Sequence, residues 1–148
     1  MERITIVESP IEDAVAVNRT VTEFESPYNT VHFNQRIFGK PHLILVGQVN
    51  EVSAGYLVSY EDRHYPSSFY VWMAGVNSKF RKKGVLKAMM QYQENWAKEK
   101  GYKKLVLKTR NSRREMLSYL IAHGYNFVEV IPKEKIEDTE ILAEKIIE

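Results

Sequence analysis

The chain has 148 residues, 44% of them apolar and 27% charged, a length and balance that suit one domain, spanning residues 1–148, and exclude a disordered chain. It contains no cysteine, which excludes disulfide frameworks, thiolate zinc sites and thiol nucleophiles. The net charge of +2 conceals an asymmetry: residues 79–114 hold 13 Lys and Arg against Glu94 and Glu99, a local net of +11, while the remainder carries −9.

The opening Met-Glu-Arg-Ile-Thr-Ile has no apolar h-region, which argues against a signal peptide and makes a cytoplasmic location the expectation. Ile4 to Val7 predicts a short first strand. Pro10 begins a predicted helix to about Thr20, with Ser9 as its N-cap and Glu12 at capping-box spacing. Ser26-Pro27 breaks the chain, and Tyr28 to Phe38 predicts a second helix closed by Gly39 and Pro41. Leu43–Val49 and Val52–Tyr60 read as a hairpin around Asn50-Glu51.

Phe69 to Val76 is a near-continuous apolar run, the pattern of a strand buried on both faces at the centre of a sheet. It is also the longest apolar run, far below the ~20 residues of a membrane-spanning helix. From Gly84 the period changes: Val85, Met89, Tyr92 and Trp96, widened by Leu86, Met90 and Ala97, mark an amphipathic helix that Gly101 ends. Leu105–Leu107 predicts a strand. Ser112 and Glu115, again at capping-box spacing, open a helix carrying Met116, Leu117, Leu120 and Ile121. Tyr125–Ile131 predicts a further strand. Ile141, Leu142, Ile146 and Ile147 fit a helix or a last strand, and the strand is preferred because 125–131 needs a partner. The helix between the strands at 69–76 and 105–107 makes those two parallel. The expected fold is a mixed α/β domain, mostly antiparallel, around one parallel strand–helix–strand unit.

The chemistry is concentrated at two helix starts. A helix N-terminus carries about half a positive charge and four unpaired N–H groups, so acids belong there. Here Lys79, Arg81, Lys82 and Lys83 precede the helix at Gly84, and Lys108, Arg110, Arg113 and Arg114 crowd the next. A bound polyanion reverses the resulting repulsion, and phosphates are the usual occupants; the alternative is a solvated basic face. Gly75, inside a buried strand, marks either a ligand lying against the backbone or a simple packing glycine.

The segment Val-Asn-Ser-Lys-Phe-Arg-Lys-Lys-Gly-Val-Leu, residues 76–86, resembles the acyl-CoA loop of the GCN5-related N-acetyltransferases, whose pattern is Arg/Gln-x-x-Gly-x-Gly/Ala after a strand. Arg81 and Gly84 match, and Leu86 stands where Gly or Ala is usual. The following helix, Gly101-Tyr102, Asn111 and His123-Gly124-Tyr125 fall at the spacings of that family. The resemblance implies an acetyl-CoA-dependent N-acetyltransferase. It implies a pyrophosphate on the backbone N–H groups of Arg81, Lys82, Lys83, Gly84, Val85 and Leu86. It implies a pantetheine arm paired with Ala74 and Val76 between splayed strands, Asn111 beside that arm, and the Val76 N–H facing the thioester oxygen. The usual strand carboxylate base is missing, and the usual tyrosine acid position is Leu120; Tyr119, one residue earlier, is the candidate acid or else an aromatic packing residue. Glu23, Glu25, Tyr28 and His32 lie where the family binds its acceptor, and they either bind it or solvate a loop.

The four histidines show no metal-ligand spacing, so no metal is expected, and Trp72 and Trp96 read as core. Residues 1–78 and 115–148 carry net charges of −4 and −5, which points to a cationic amine acceptor such as a polyamine, a lysine side chain or a peptide N-terminus. The competing readings are a CoA-binding protein without catalysis and a nucleic-acid-binding module built on residues 79–114, for which a recognition helix or aromatic platform is lacking. No membrane partner is expected, and a homo-oligomer is compatible with the sequence.

Overall fold

The computed structural model describes residues 2–21 and 29–148. Seven strands form one sheet: β1 (Ile4–Glu8), β2 (His42–Val49), β3 (Val52–Glu61), β4 (Ser68–Val76), β5 (Lys104–Arg110), β6 (Asn126–Ile131) and β7 (Glu140–Ile146). Their spatial order is β1-β2-β3-β4-β5-β7-β6, and every neighbouring pair is antiparallel except β4–β5. The last segment is thus a strand, as preferred from the sequence, and it inserts between β5 and β6 rather than only flanking β6.

Alternating strand residues divide the core into two layers. One face carries Leu45, Leu57, Phe69, Leu105 and Ala143 under α3 (Val85–Glu99) and α4 (Arg114–Ala122). The other carries Ile44, Val46, Tyr56 and Val58 under α1 (Ile11–Asn18) and α2 (Thr30–Ile37). The period of two in strands and the helical stripe predicted from residue 85 meet at Met89 and Met90, both fully buried.

Local chemistry explains the boundaries. Asn50 and Glu51 both have positive φ, 48° and 71°, the conformation a two-residue hairpin turn demands. The Asn29 side chain caps α2, accepting from the His32 N–H at 2.9 Å. Two expected caps do not form. The Ser9 hydroxyl donates to the Val7 carbonyl, and Pro10 occupies the position before α1 without a side-chain cap. Ser112 lies one residue too early for α4, because the amides of Asn111 and Ser112 bond to Thr139 and Glu137 at 2.9 and 3.1 Å, which holds this stretch against the turn before β7.

β4 is central, yet it is half-buried rather than buried from Trp72 to Gly75. Trp72 and Trp96 are likewise half-buried: each packs its ring against one core layer and keeps an edge open. Positions 23, 25 and 28 lie outside the described residues.

Candidate active site

The site begins with a defect in strand pairing. Along β3, Val58 pairs with Met73 and Ser59 with Val71, so Trp72 is an extra residue on β4. Such a bulge bends its strand and increases its twist. At the same point β4 leaves β5: the parallel ladder runs from Ser68–Lys104 to Val71–Leu107 and stops. Beyond it the Asn77 amide bonds to Ala54 on β3 at 2.8 Å, whereas the Val76 carbonyl faces the other way and accepts from Arg81 Nε at 3.3 Å. Strand alternation turns Ala74 to the same side as Val76. Among the described residues no strand pairs with this edge of β4, so its backbone groups face a gap.

That gap is a cleft of about 240 Å³, floored by Ala74, Gly75 and Val76. Arg81 and Leu86 close it on the α3 side, and Ser112 to Met116 on the α4 side, with Val21 three residues beyond α1. Both helix starts therefore open on one cavity, at the C-terminal ends of the parallel strands, where open α/β sheets bind ligands. Three guanidinium groups, Arg81, Arg113 and Arg114, stand against a single lining carboxylate, Glu115.

The mouth of α3 is shaped by backbone conformation. Gly84 precedes the helix at φ 91°, ψ 11°, and Lys82 also has positive φ, 61°. The first intrahelical bond runs from Ala88 N to Gly84 O at 3.0 Å, leaving the amides of Val85, Leu86 and Lys87 without helical acceptors, and the first turn contains no acid. Two glycines that the sequence reading passed over set how closely this helix approaches the sheet. A Cβ on Gly47 would lie 2.8 Å from Val85 Cγ1; one on Gly55 would lie 2.9 Å from the same atom and 3.2 Å from the Gly75 carbonyl. The signal was a glycine at mid-strand in each arm of the hairpin.

The other expected site residues are dispersed. Lys82 is exposed, and Lys83 is held by Glu2 at 2.6 Å. Asn111 does not line the cleft: its side-chain amide donates to the Ile136 carbonyl at 3.3 Å, tying β5 to the turn before β7. Tyr119 is also absent from the lining. Its ring is buried in the α3–α4 layer and stacked on His123 at 4.1 Å, and burial, with the Glu94 charge second, pushes its phenol up to about 12. A helical step of about 100° from the Leu120 position accounts for the displacement. His32 lies against Trp72 on α2, with ring centroids 5.8 Å apart.

A second cavity of about 390 Å³ adjoins the end of β5 and is wholly charged, with Arg110 bonded to Asp138 at 3.7 Å and Lys133 to Glu140 at 3.0 Å. The Lys133 hydrogen bond, aided by Lys108, holds the Glu140 carboxyl below the usual range. Cross-strand pairs also join Lys104 to Glu144 and Lys108 to Glu140. β7 thus pairs with two of the thirteen bases of the +11 segment, Lys104 and Lys108, while Arg81, Arg113 and Arg114 line the cleft. Among the described residues no group of His, Asp or Glu is placed to hold a metal ion, and no helix is long and apolar enough to cross a membrane.

The chain resembles solved structures over nearly its whole length. The ribosomal-protein-S18-alanine N-acetyltransferase from Escherichia coli superposes with TM-score 0.78 at 16% identity, covering 99% of this chain and 94% of that one. Ard1 from Thermoplasma volcanium gives TM-score 0.79 at 18% identity, covering 97% of each chain. A Bacillus subtilis acetyltransferase in complex with CoA gives 0.71 at 14% identity, again covering 97% of each. These likenesses establish the fold; no curated protein matches the sequence. The sequence model of the Acetyltransferase (GNAT) family matches residues 11–125, which include the bulged strand, the Arg81–Gly84 loop, the helix it opens and the α4 wall of the cleft. The parting of β4 from β5 above that loop thus has its place in a known architecture, and this chain belongs to the GNAT acetyltransferase family, acyl-CoA-dependent acyltransferases.

Proposed function

We propose that the chain moves an acetyl group from acetyl-CoA to a primary amine that carries positive charge. The observation that supports this most directly is the cleft itself. An unpaired strand edge, an acid-free helix mouth and three guanidinium groups share one cavity. These features fit the donor: Val85, Leu86 and Lys87 offer amides to a pyrophosphate, with Arg81 and Gly84 shaping the approach, and the Ala74 and Val76 backbone offers strand-like bonds to an amide-containing arm. Acetyl-CoA supplies the activated thioester when bound. Val76 would donate its N–H toward the thioester oxygen, Arg81 would give up the Val76 carbonyl, and Glu115, in the first turn of α4, is the carboxylate able to take a proton within the cleft. The basic loop residues Lys82 and Lys83 would add long-range attraction for phosphates, and Asn111 would hold the α4 wall rather than touch the donor.

The cationic acceptor is supported by the net negative charge of the chain outside residues 79–114 and by Glu115 in the cleft. Titration calorimetry with CoA, followed by a thiol-release screen of amines at pH 8, tests both parts. Binding to CoA together with amine-dependent thiol release is expected. No binding at millimolar CoA refutes the donor site. The best acceptor is expected to be cationic, with kcat/KM falling as salt rises, because charges more than about 10 Å apart are screened at 0.1 M. An anionic best acceptor, or a rate indifferent to salt, refutes the acceptor class alone.

A further inference from the structure

The two edges of the sheet are treated differently. β1 is guarded: the Tyr92 hydroxyl bonds to Glu8, Lys83 pairs with Glu2, and Ile4 and Ile6 pack against the α3 layer. β6 has no buried residue at all, and Phe127, Val128 and Val130 are 43%, 52% and 59% exposed. Among the described residues no strand pairs with its outer side. Its six residues hold one charge, Glu129, and neither Lys nor Pro, the residues that usually blunt an open edge.

We infer that β6 pairs antiparallel with β6 of a second copy of this chain across a twofold axis. The bulge supplies the reason for choosing a second copy over a foreign strand. Phe127 pairs with Ala143 and Glu129 with Leu142, so Val128 is an extra residue. A straight strand laid along this edge would fall out of register at Val128. A second copy carries the same bulge and matches it.

The bulge also fixes the register. It brings Phe127, opposite Ala143, and Val130, opposite Ile141, to the same face of the sheet, that of α3 and α4. With the axis between Val128 and Glu129, Phe127 of each copy lies opposite Val130 of the other, and Asn126 opposite Ile131. Two apolar cross-strand pairs form, and Glu129 is kept from its twin. A shift one way sets Glu129 against Glu129, a destabilising like-charge pair; a shift the other way sets Phe127 against Glu129. A single strand pair is a small interface, so the dimer is expected to dissociate in roughly the micromolar range. It leaves the cleft open, and it does not depend on the reaction proposed above.

Sedimentation velocity from about 1 to 200 µM is expected to show a monomer–dimer equilibrium. Val130→Lys is expected to raise its Kd by about tenfold or more while Tm moves by less than about 4 °C, since the residue is exposed. Because the chain has no cysteine, a Phe127→Cys/Val130→Cys double variant is expected to form a disulfide-linked dimer on mild oxidation, and each single variant is not. A monomer across the whole range overturns the inference. So does a dimer unaffected by Val130→Lys, or single-cysteine variants that cross-link as well as the double one.

Discussion

Gly84 occupies φ 91°, where a side chain adds backbone strain of order 1–2 kcal/mol, yet an added Cβ meets only Ile4 Cδ1 at 3.6 Å. Gly84→Asp therefore costs modest stability and places a negative charge at the acid-free mouth of α3. Its CoA affinity is expected to fall by about a hundredfold or more by calorimetry, far beyond its loss of stability. Equal affinity in a folded variant would mean that the donor lies elsewhere. Tyr119 presents the opposite case. With its ring in the core and its phenol pushed up to about 12 by burial, Tyr119→Phe is expected to leave kcat within about threefold of wild type. A fall of about 10²–10⁴ with unchanged donor affinity would instead make it the general acid. The same pair shows what residues disclose by themselves. Arg81, which lines the cleft, and Gly84, which opens α3, stood out in the sequence because the loop motif that holds them is a contiguous pattern. Glu115 and Val21 were not recognised as cleft residues, because nothing local marks which wall a side chain will join.

Between elements, the site depends on how closely α3 lies on the hairpin. Gly47 and Gly55 leave room for Val85 and Met89, and Gly55 also stands near the Gly75 carbonyl at the cleft floor. Gly55→Ala is expected to destabilise by about 1–3 kcal/mol and to weaken CoA binding as well, since the helix start must lift from the sheet. Gly47→Ala meets only side chains, and its effect on both is expected to be smaller. Chemical denaturation and calorimetry on the two variants check the order; a Gly55→Ala protein with wild-type stability and CoA affinity would show that the helix adjusts without cost. Element order was legible from the sequence, including the parallel pair implied by the helical crossover. The bulge at Trp72 was not, because an apolar run reads identically with or without an extra residue in the ladder.

For the whole molecule, burial governs the alkaline limit. Tyr102 and Tyr119 are each pushed up to about 12, chiefly by burial, with the Glu61 hydrogen bond and the Glu94 charge second; burial raises Tyr125 further still. The folded state therefore keeps protons that the unfolded chain releases near pH 10. Stability from these groups is complete below about pH 10 and is lost as pH rises toward 12. Tm is expected to fall steeply over that window, and less steeply in Tyr102→Phe, provided that variant remains folded at pH 8. A Tm level from pH 10 to 12 would contradict the burial argument.

Composition, periodicity, glycines and charge runs determined the elements, their order, the absence of thiol chemistry and the basic, acid-free start of α3, because each of these is set by residue type or within a few consecutive residues. Tertiary structure decided the rest. Two bases of the segment that looked like a basic face find cross-strand partners, Lys104 with Glu144 and Lys108 with Glu140, which lie some forty and thirty residues apart in the chain. The insertion of β7 between β5 and β6 draws Asn111 toward the turn at Ile136 and leaves β6 as an open edge. Both outcomes arise from long-range strand pairing, whose partners are chosen by the packing of the whole sheet and leave no mark on either strand alone.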